Sequence, residues 1–196
     1  MSDSRSDDRS DAEGEPAVVL DYLPHGRADD DRPQYERPAL AHVLGIEDFR
    51  LAEAVLAEDA DISIGDRVPL SAGTAAGIEE LRDIEYDELS GGATSELEYA
   101  IDDIIDADTQ RFVDFYNDAQ PITLRLHQLN LLPGIGKKLR NAILDERERQ
   151  PFDSFEDLQS RVSGLHNPRE VLVERIVEEL RADDLKYRTF VRRDEQ

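Results

Sequence analysis

The hydrophobic period of this chain changes near residue 95, from alternation to a helical repeat that holds to about residue 182, and that change limits the folds open to it. Upstream, apolar residues alternate in short runs broken by Gly, Pro and Asp; downstream they recur every three or four positions. A strand-bearing half followed by a helical half cannot alternate β and α units. The expected class is therefore α+β, with the two kinds of element segregated.

In the first half, "AVVLDYLP" (17–24) reads as a short strand stopped by Pro24. "HGRADDDRPQYERP" (25–38) is a loop by its proline and glycine content. Its His25, Arg27, Arg32, Tyr35 and Arg37 could contact an anion, but arginines paired with Asp29, Asp30 and Asp31 in a solvated loop are the preferred reading. "FRLAEAVL" (49–56) alternates through Phe49, Leu51 and Val55, although its alanines would also suit a helix, and 77–89 offers a further alternating stretch with Ile84 and Tyr86. In "DISIGDRVPL" (61–70), Ile62, Ile64, Val68 and Leu70 flank a Gly65-Asp66 turn, which predicts a hairpin. Four or five strands this close together predict a small barrel or curled sheet.

Ser95 and Glu98 stand at capping-box spacing. Leu97, Ile101, Ile104, Ile105, Phe112 and Tyr116 then predict one long amphipathic helix to about Asn117, with Asp102, Asp103 and Asp106 on a solvated face. Past Pro121 the pattern is helical: Leu126, Leu129 and Leu132 in a first helix, Leu139, Ala142 and Ile143 in a second. Ser154 with Asp157 opens a third, and Asn167-Pro168 with Glu170 opens a fourth carrying Val171, Leu172, Ile176 and Leu180. "LKYRTFVRR" (185–193) alternates and is basic, which predicts a terminal strand. The domain plan is a disordered acidic tail (1–15), a β-rich barrel-like domain (16–93), a connecting helix (94–120), a helical domain (121–182) and a basic C-terminal segment (183–196).

Charge follows the same division. The 196 residues hold 46 acids and 23 bases, a net of -23. Residues 1–120 contain 32 acids and 9 bases, whereas 121–196 contain 14 of each. Between Asp118 and Asp145 there is no acid at all, while Arg125, Lys137, Lys138 and Arg140 supply four positive charges. Only Lys137, Lys138 and Lys186 are lysines among the 23 bases. Acid excess with scarce lysine resembles the proteins of halophilic archaea, in which surface acidity is a solubility device rather than a sign of the partner. No secretory signal, long apolar run or cysteine is found, so a cytoplasmic protein without membrane association or thiolate metal site is expected.

Within the acid-free stretch lies "LLPGIGKKLRNAI" (131–143). Glycines at 134 and 136 open the backbone to a ligand, and Ile135 between them can point inward. The helix that starts near Gly136 presents unpaired N–H groups and a positive dipole end. Lys137 and Lys138 beside that end repel it locally, a cost that a bound phosphate would reverse. A P-loop is excluded because Leu131 and Lys138 stand where it needs glycine and Ser or Thr. A dinucleotide fingerprint fails on Leu139 and on the absence of a preceding strand.

"LNLLPGIGKKLRNAI" resembles the helix-hairpin-helix motif, with Pro133, Gly134, Ile135 and Gly136 matching its hairpin. The resemblance implies amides that bind a nucleic-acid phosphate without reading sequence, beside a monovalent cation and with no other cofactor. "PFDSFEDLQSRVSGL" resembles the link to a second hairpin, but Asn167-Pro168 replaces the usual glycine and basic residue, so that turn is read as packing. With "VLDYLPHG" added, nearly the whole chain resembles the archaeal domain of unknown function 655. That family implies nucleic-acid binding, an oligonucleotide-binding-fold-like barrel before the hairpin, and a genomic setting near translation genes that favours RNA over DNA.

The expected phosphate site is therefore Gly134, Ile135, Gly136, Lys137, Lys138 and Arg140, with Arg125, His127, Lys186 and Arg188 as auxiliaries. The alternative is an adaptor whose acidic N-terminal domain docks on basic ribosomal or polymerase proteins. Histidines 25, 42, 127 and 166 lack metal-ligand spacing and no nucleophile motif occurs, so no catalytic residue is assigned and an enzyme is not expected.

Overall fold

A computed structural model describes residues 14–73 and 77–192. The chain is α+β and divides into two compact units, with the boundary between Glu96 and Leu97. The disordered tail expected for residues 1–15 lies outside the described residues except for Gly14 and Glu15. The Glu15 carbonyl accepts the Leu70 amide at 2.7 Å.

The first unit is a curled half-barrel of five antiparallel strands: β1 (Pro16–Leu23), β2 (Leu40–Gly45), β3 (Leu51–Leu56), β4 (Arg67–Pro69) and β5 (Ile78–Asp83), in the order β4-β1-β2-β3-β5. One face is lined by Ala17, Val19, Ala41, Val43, Ala52, Ala54 and Ile78, closed by Leu56 and Leu70. Register places Val19 opposite Val43, and Val43 opposite Ala52. Many of these side chains are small, which leaves room for the sheet to curl. Register shifts between Val19 and Asp21 and between Val55 and Leu56 add bend at the same strands.

The opposite face of β2 and β3 is buried as well, by Leu40, Leu44 and Leu51. Its two polar members, His42 and Glu53, face each other with Nε2 and Oε2 3.3 Å apart. His42 Nδ1 accepts the Ser90 amide, and Glu53 receives both arms of Arg27 at 2.7 Å. Buried polar groups here are thus paired.

Two expectations fail in this unit. The 61–70 hairpin does not form: Gly65 does turn (φ 87), but its amide donates to Val19 O and Asp66 O accepts from the Val19 amide. The turn is held by β1, leaving residues 61–63 outside any strand. The 77–89 stretch is strand only to Asp83 and then forms a 3-10 turn at Tyr86–Glu88. Of the arginines in the loop at 25–38, only Arg32 pairs with a loop aspartate, Asp30 at 2.6 Å, whereas Arg27 pairs with Glu53. Arg37 donates to the carbonyls of Arg32 and Arg27, so these arginines are committed within the loop and sheet.

Helix α1 (Gly91–Ala107) starts four residues before the expected Ser95, because the Ser90 hydroxyl accepts the Ala93 amide. Nor is it one helix to Asn117. Asp108 leaves helical geometry, and the Thr109 hydroxyl takes the carbonyls of Ile105 and Asp106, so α2 (Thr109–Asp118) starts afresh. Helices α3 (Lys137–Arg149), α4 (Phe155–Arg161) and α5 (Pro168–Arg181) complete the second unit. Ser154 caps α4 through the Asp157 amide, as its spacing predicts. Asn167 precedes α5 but does not cap it: it is left-handed (φ 45), and its side chain donates to Glu170 instead. Asp102 and Asp106 are not merely solvated, since both receive Arg169 of α5.

The C-terminal strand is absent among the described residues. The amides of Thr189, Phe190 and Val191 donate to the buried Glu179 carboxylate at 2.8–3.0 Å, leaving none for a sheet. Arg193 lies outside the described residues. The helix expected over Leu126–Leu132 shrinks to a 3-10 turn at Gln128–Leu131. Leu126 belongs to the preceding loop, where its carbonyl accepts the amides of Ile122 and Thr123.

Candidate functional site

The turn between that 3-10 segment and α3 is built from inside by Ile135. Its side chain is buried, and its amide donates to Leu132 O at 3.2 Å. Gly134 has φ +77, where a side chain is strained. Gly136 does not need glycine for its backbone: φ is -85 and ψ is -172, which any residue adopts. What Gly136 contributes is open space, because a Cβ there meets nothing within 4 Å.

Helix α3 begins with the Arg140 amide donating to Gly136 O at 2.9 Å. The amides of Lys137, Lys138 and Leu139 have no carbonyl one turn back, as at any helix start. Helices α4 and α5 fill their first turns with Glu156, Asp157 and Glu170; α3 has no acid there. Lys137 and Lys138 are exposed, and among the described residues neither has an acidic partner within 4.0 Å. The turn is an open concentration of positive potential.

Behind it runs a chain of hydrogen bonds. Asn130 Oδ1 accepts from the His127 amide and from Arg140, while Asn130 Nδ2 donates to Ile135 O at 3.3 Å. His127 is buried, and its Nδ1 accepts the Leu129 amide at 3.1 Å. Burial lowers the His127 pKa, helped by the charges of Arg147 and Arg140. The ring is held neutral.

Of the expected site residues, Gly134, Gly136, Lys137 and Lys138 therefore form the open face, and Ile135 holds it from within. Arg140 is half-buried and bonded to Asn130 and Asn141, so it braces the turn. Arg125 is exposed on the loop whose ends, Pro121 and His127, pair with each other. Arg188 donates to the carbonyls of Ala182 and Asp183 past α5, while Lys186 is exposed above the Tyr187 ring. Asn130 was not singled out in the sequence; its spacing of three from His127 was the available signal.

The turn before α5 repeats the first in backbone. Gly164 has φ +90, and the Leu165 amide donates to Val162 O at 3.3 Å. Its surface differs: a Cβ on Gly164 would touch Leu139, and Glu170 occupies the helix start. The first turn has two exposed lysines and no acid at its helix start, whereas the second has Glu170 there.

Among the described residues, no helix is long and apolar enough to cross a membrane. A family described as a protein of unknown function, DUF655, matches residues 13–192. The chain is 39% identical over 179 residues to the uncharacterized protein MJ0038 of Methanocaldococcus jannaschii, covering 90% of this chain and 79% of that one. The crystal structure of Af1531 from Archaeoglobus fulgidus, described there as DUF655, has a TM-score of 0.82 and 40% identity, covering 91% of this chain and 99% of that one. By sequence over nearly its whole length, and by fold, the chain belongs to the DUF655 family.

Proposed function

We propose that the turn at 132–138 is a helix-hairpin-helix element that binds backbone phosphates of a nucleic acid without reading its sequence. The observation that carries the reading is the pair of exposed, acid-free lysines at the open start of α3. A phosphate there would meet unpaired amides, the positive helix end and two ammonium groups together. A monovalent cation at the hairpin, implied by the resemblance, would add to the same field. The curled sheet of the first unit fits a partly open barrel of the oligonucleotide-binding type, which takes single strands of RNA or DNA alike; the genomic setting that the resemblance implies, near translation genes, makes RNA the first substrate to try. The protein acts in this reading as a binder and not as an enzyme.

Filter binding across a salt series, on single-stranded RNA and on duplex DNA, tests it. Lys137→Ala with Lys138→Ala should weaken binding on every sequence alike and remove roughly one to two units of the slope of log affinity against log salt. Gly136→Leu is accommodated by the free protein, since its Cβ position is open. It should lose affinity with a smaller change of slope, because both lysines remain. Folded variants that match the parent at every salt concentration would reduce the turn to a structural corner.

A further inference from the structure

Just before the turn, the loop Pro121–His127 ends in a fully solvent-exposed leucine: Leu124 has a relative exposure of 107%, the highest of any exposed large apolar residue among those described. Single exposed apolar side chains are common and by themselves say nothing. This one differs in how it is held. The Thr123 hydroxyl accepts the amides of Arg125 and Leu126 at 3.2 and 3.0 Å, and Leu126 O accepts those of Ile122 and Thr123 at 2.8 and 3.0 Å. The base is closed by the Pro121–His127 bridge, by the Gln128 amide on Gln120 O, and by the Gln120 amide on Gln128 Oε1 at 2.7 Å. A loop pinned at its tip and base holds an apolar group out in water in one fixed place.

Two further observations bear on what it meets. The loop lies inside the acid-free stretch 119–144, with Arg125 exposed next to Leu124, so the loop itself offers a polyanion a positive charge and no negative one. The loop is also wired to the phosphate turn: His127 ends it, and through Asn130 the bonds reach Ile135 and Arg140. An apolar tip beside a phosphate-holding turn has the form of a wedge, a side chain that enters between neighbouring bases and unstacks them.

We propose that Leu124 is such a wedge. It enters a base step of the nucleic acid whose backbone the turn holds, and Arg125 contacts the phosphate flanking that step. The unstacking, which costs a few kcal/mol per step, is offset by burial of the leucine and by the adjoining phosphate contacts. This rests on the phosphate-binding reading above. It adds a consequence that reading lacks, because phosphate binding alone leaves the bases stacked.

The test uses the full chain with RNA and DNA hairpins carrying 2-aminopurine at successive positions, whose fluorescence rises when the base is unstacked. At saturation the parent should raise fluorescence at one or two neighbouring steps. Leu124→Ala should abolish the rise, bind about tenfold more weakly from the lost apolar burial, and keep the parent salt slope. Leu124→Met should restore the rise. Arg125→Ala should keep it while losing roughly one unit of slope. If the parent binds with no rise at any step, or Leu124→Ala gives the parent's rise, the wedge is wrong. In those cases a loss of binding by the Lys137 and Lys138 variant would leave the phosphate site standing. If the parent binds neither RNA nor DNA at low salt, the wedge and the phosphate site both fall.

Discussion

His127 shows how one side chain sets the geometry on which the rest depends. Its Nδ1 accepts the Leu129 amide inside a buried site, so in the neutral ring the proton sits on Nε2. A proton added to Nδ1 would break that bond beside Arg140 and Arg147. The folded-state pKa therefore lies below the ordinary value, mainly through burial. The sign follows. Above the unfolded value of about 6.5 both states are neutral and the stabilisation is complete. As pH falls below it, the unfolded chain binds a proton that the folded one resists, so stability declines until the lower folded value is passed. His127→Asn keeps an acceptor suited to a cap but does not titrate. From pH 7.5 to 5.0 the melting temperature of the parent should fall further than that of His127→Asn, with the other three histidines common to both. Parallel curves for the two proteins would show that this ring does not titrate against folding.

At the scale of elements, one carboxylate takes three successive amides of the last described segment, which Arg175 and Phe115 also hold through Tyr187 O and the Phe190 ring. Glu179 is fully buried and accepts from Arg175 Nε and from the amides of Thr189, Phe190 and Val191. Glu179→Ala would take the acceptor from three amides and from Arg175 Nε at once, although Arg175 keeps Glu178 and the Tyr187 carbonyl on its other nitrogens. A loss of about 3–5 kcal/mol is expected in urea denaturation, the range for breaking a buried ion pair from one side. Cleavage by protease after α5 should begin earlier as well; a loss under about 1 kcal/mol would mean that water replaces the carboxylate readily. The same bonds explain why the expected terminal strand does not form among the described residues. Alternation in "LKYRTFVRR" is real, but a strand also needs free amides, and a residue ten positions upstream takes them. Strand β2 escaped for the opposite reason: all six residues from Leu40 to Gly45 are buried, so the alternation that marks a half-exposed strand is missing. Gly65-Asp66 was legible as a turn, but not as one whose partner is Val19. The open turn at Gly134–Lys138 was legible because local chemistry alone makes it: a left-handed glycine, an inward isoleucine and a helix start without acids. The wiring through Asn130 was not, since it depends on where Arg140 and Ile135 arrive after folding.

For the whole molecule the governing quantity is the charge division. The net of -23 over residues 1–120 sits in one chain with a neutral remainder whose acid-free stretch carries the open turn. In the proposed reading, a nucleic acid at that turn would be attracted by the local lysines, and the acids of residues 1–120 would add a long-range repulsion. The attraction acts within the first few ångströms, whereas the repulsion extends about a Debye length, ~10 Å at 0.1 M salt and ~3 Å at 1 M. The acidic half should therefore reduce affinity at low salt and matter little at high salt. Glu58, Asp59, Glu79 and Glu80 are exposed, and no ion pair involves them among the described residues. Replacing them by Gln, Asn, Gln and Gln removes four negative charges without breaking a contact. Binding to RNA in 50–100 mM salt should tighten, by roughly two- to fivefold for a change of this size in long-range field. The curves of parent and variant should converge as salt approaches 1 M. An adaptor whose acidic half docks on basic proteins behaves in the opposite way, losing partner capture on the same substitutions while nucleic-acid binding is undetectable throughout. An unchanged RNA affinity at low salt would show that the acidic half is too far from the bound strand to be felt.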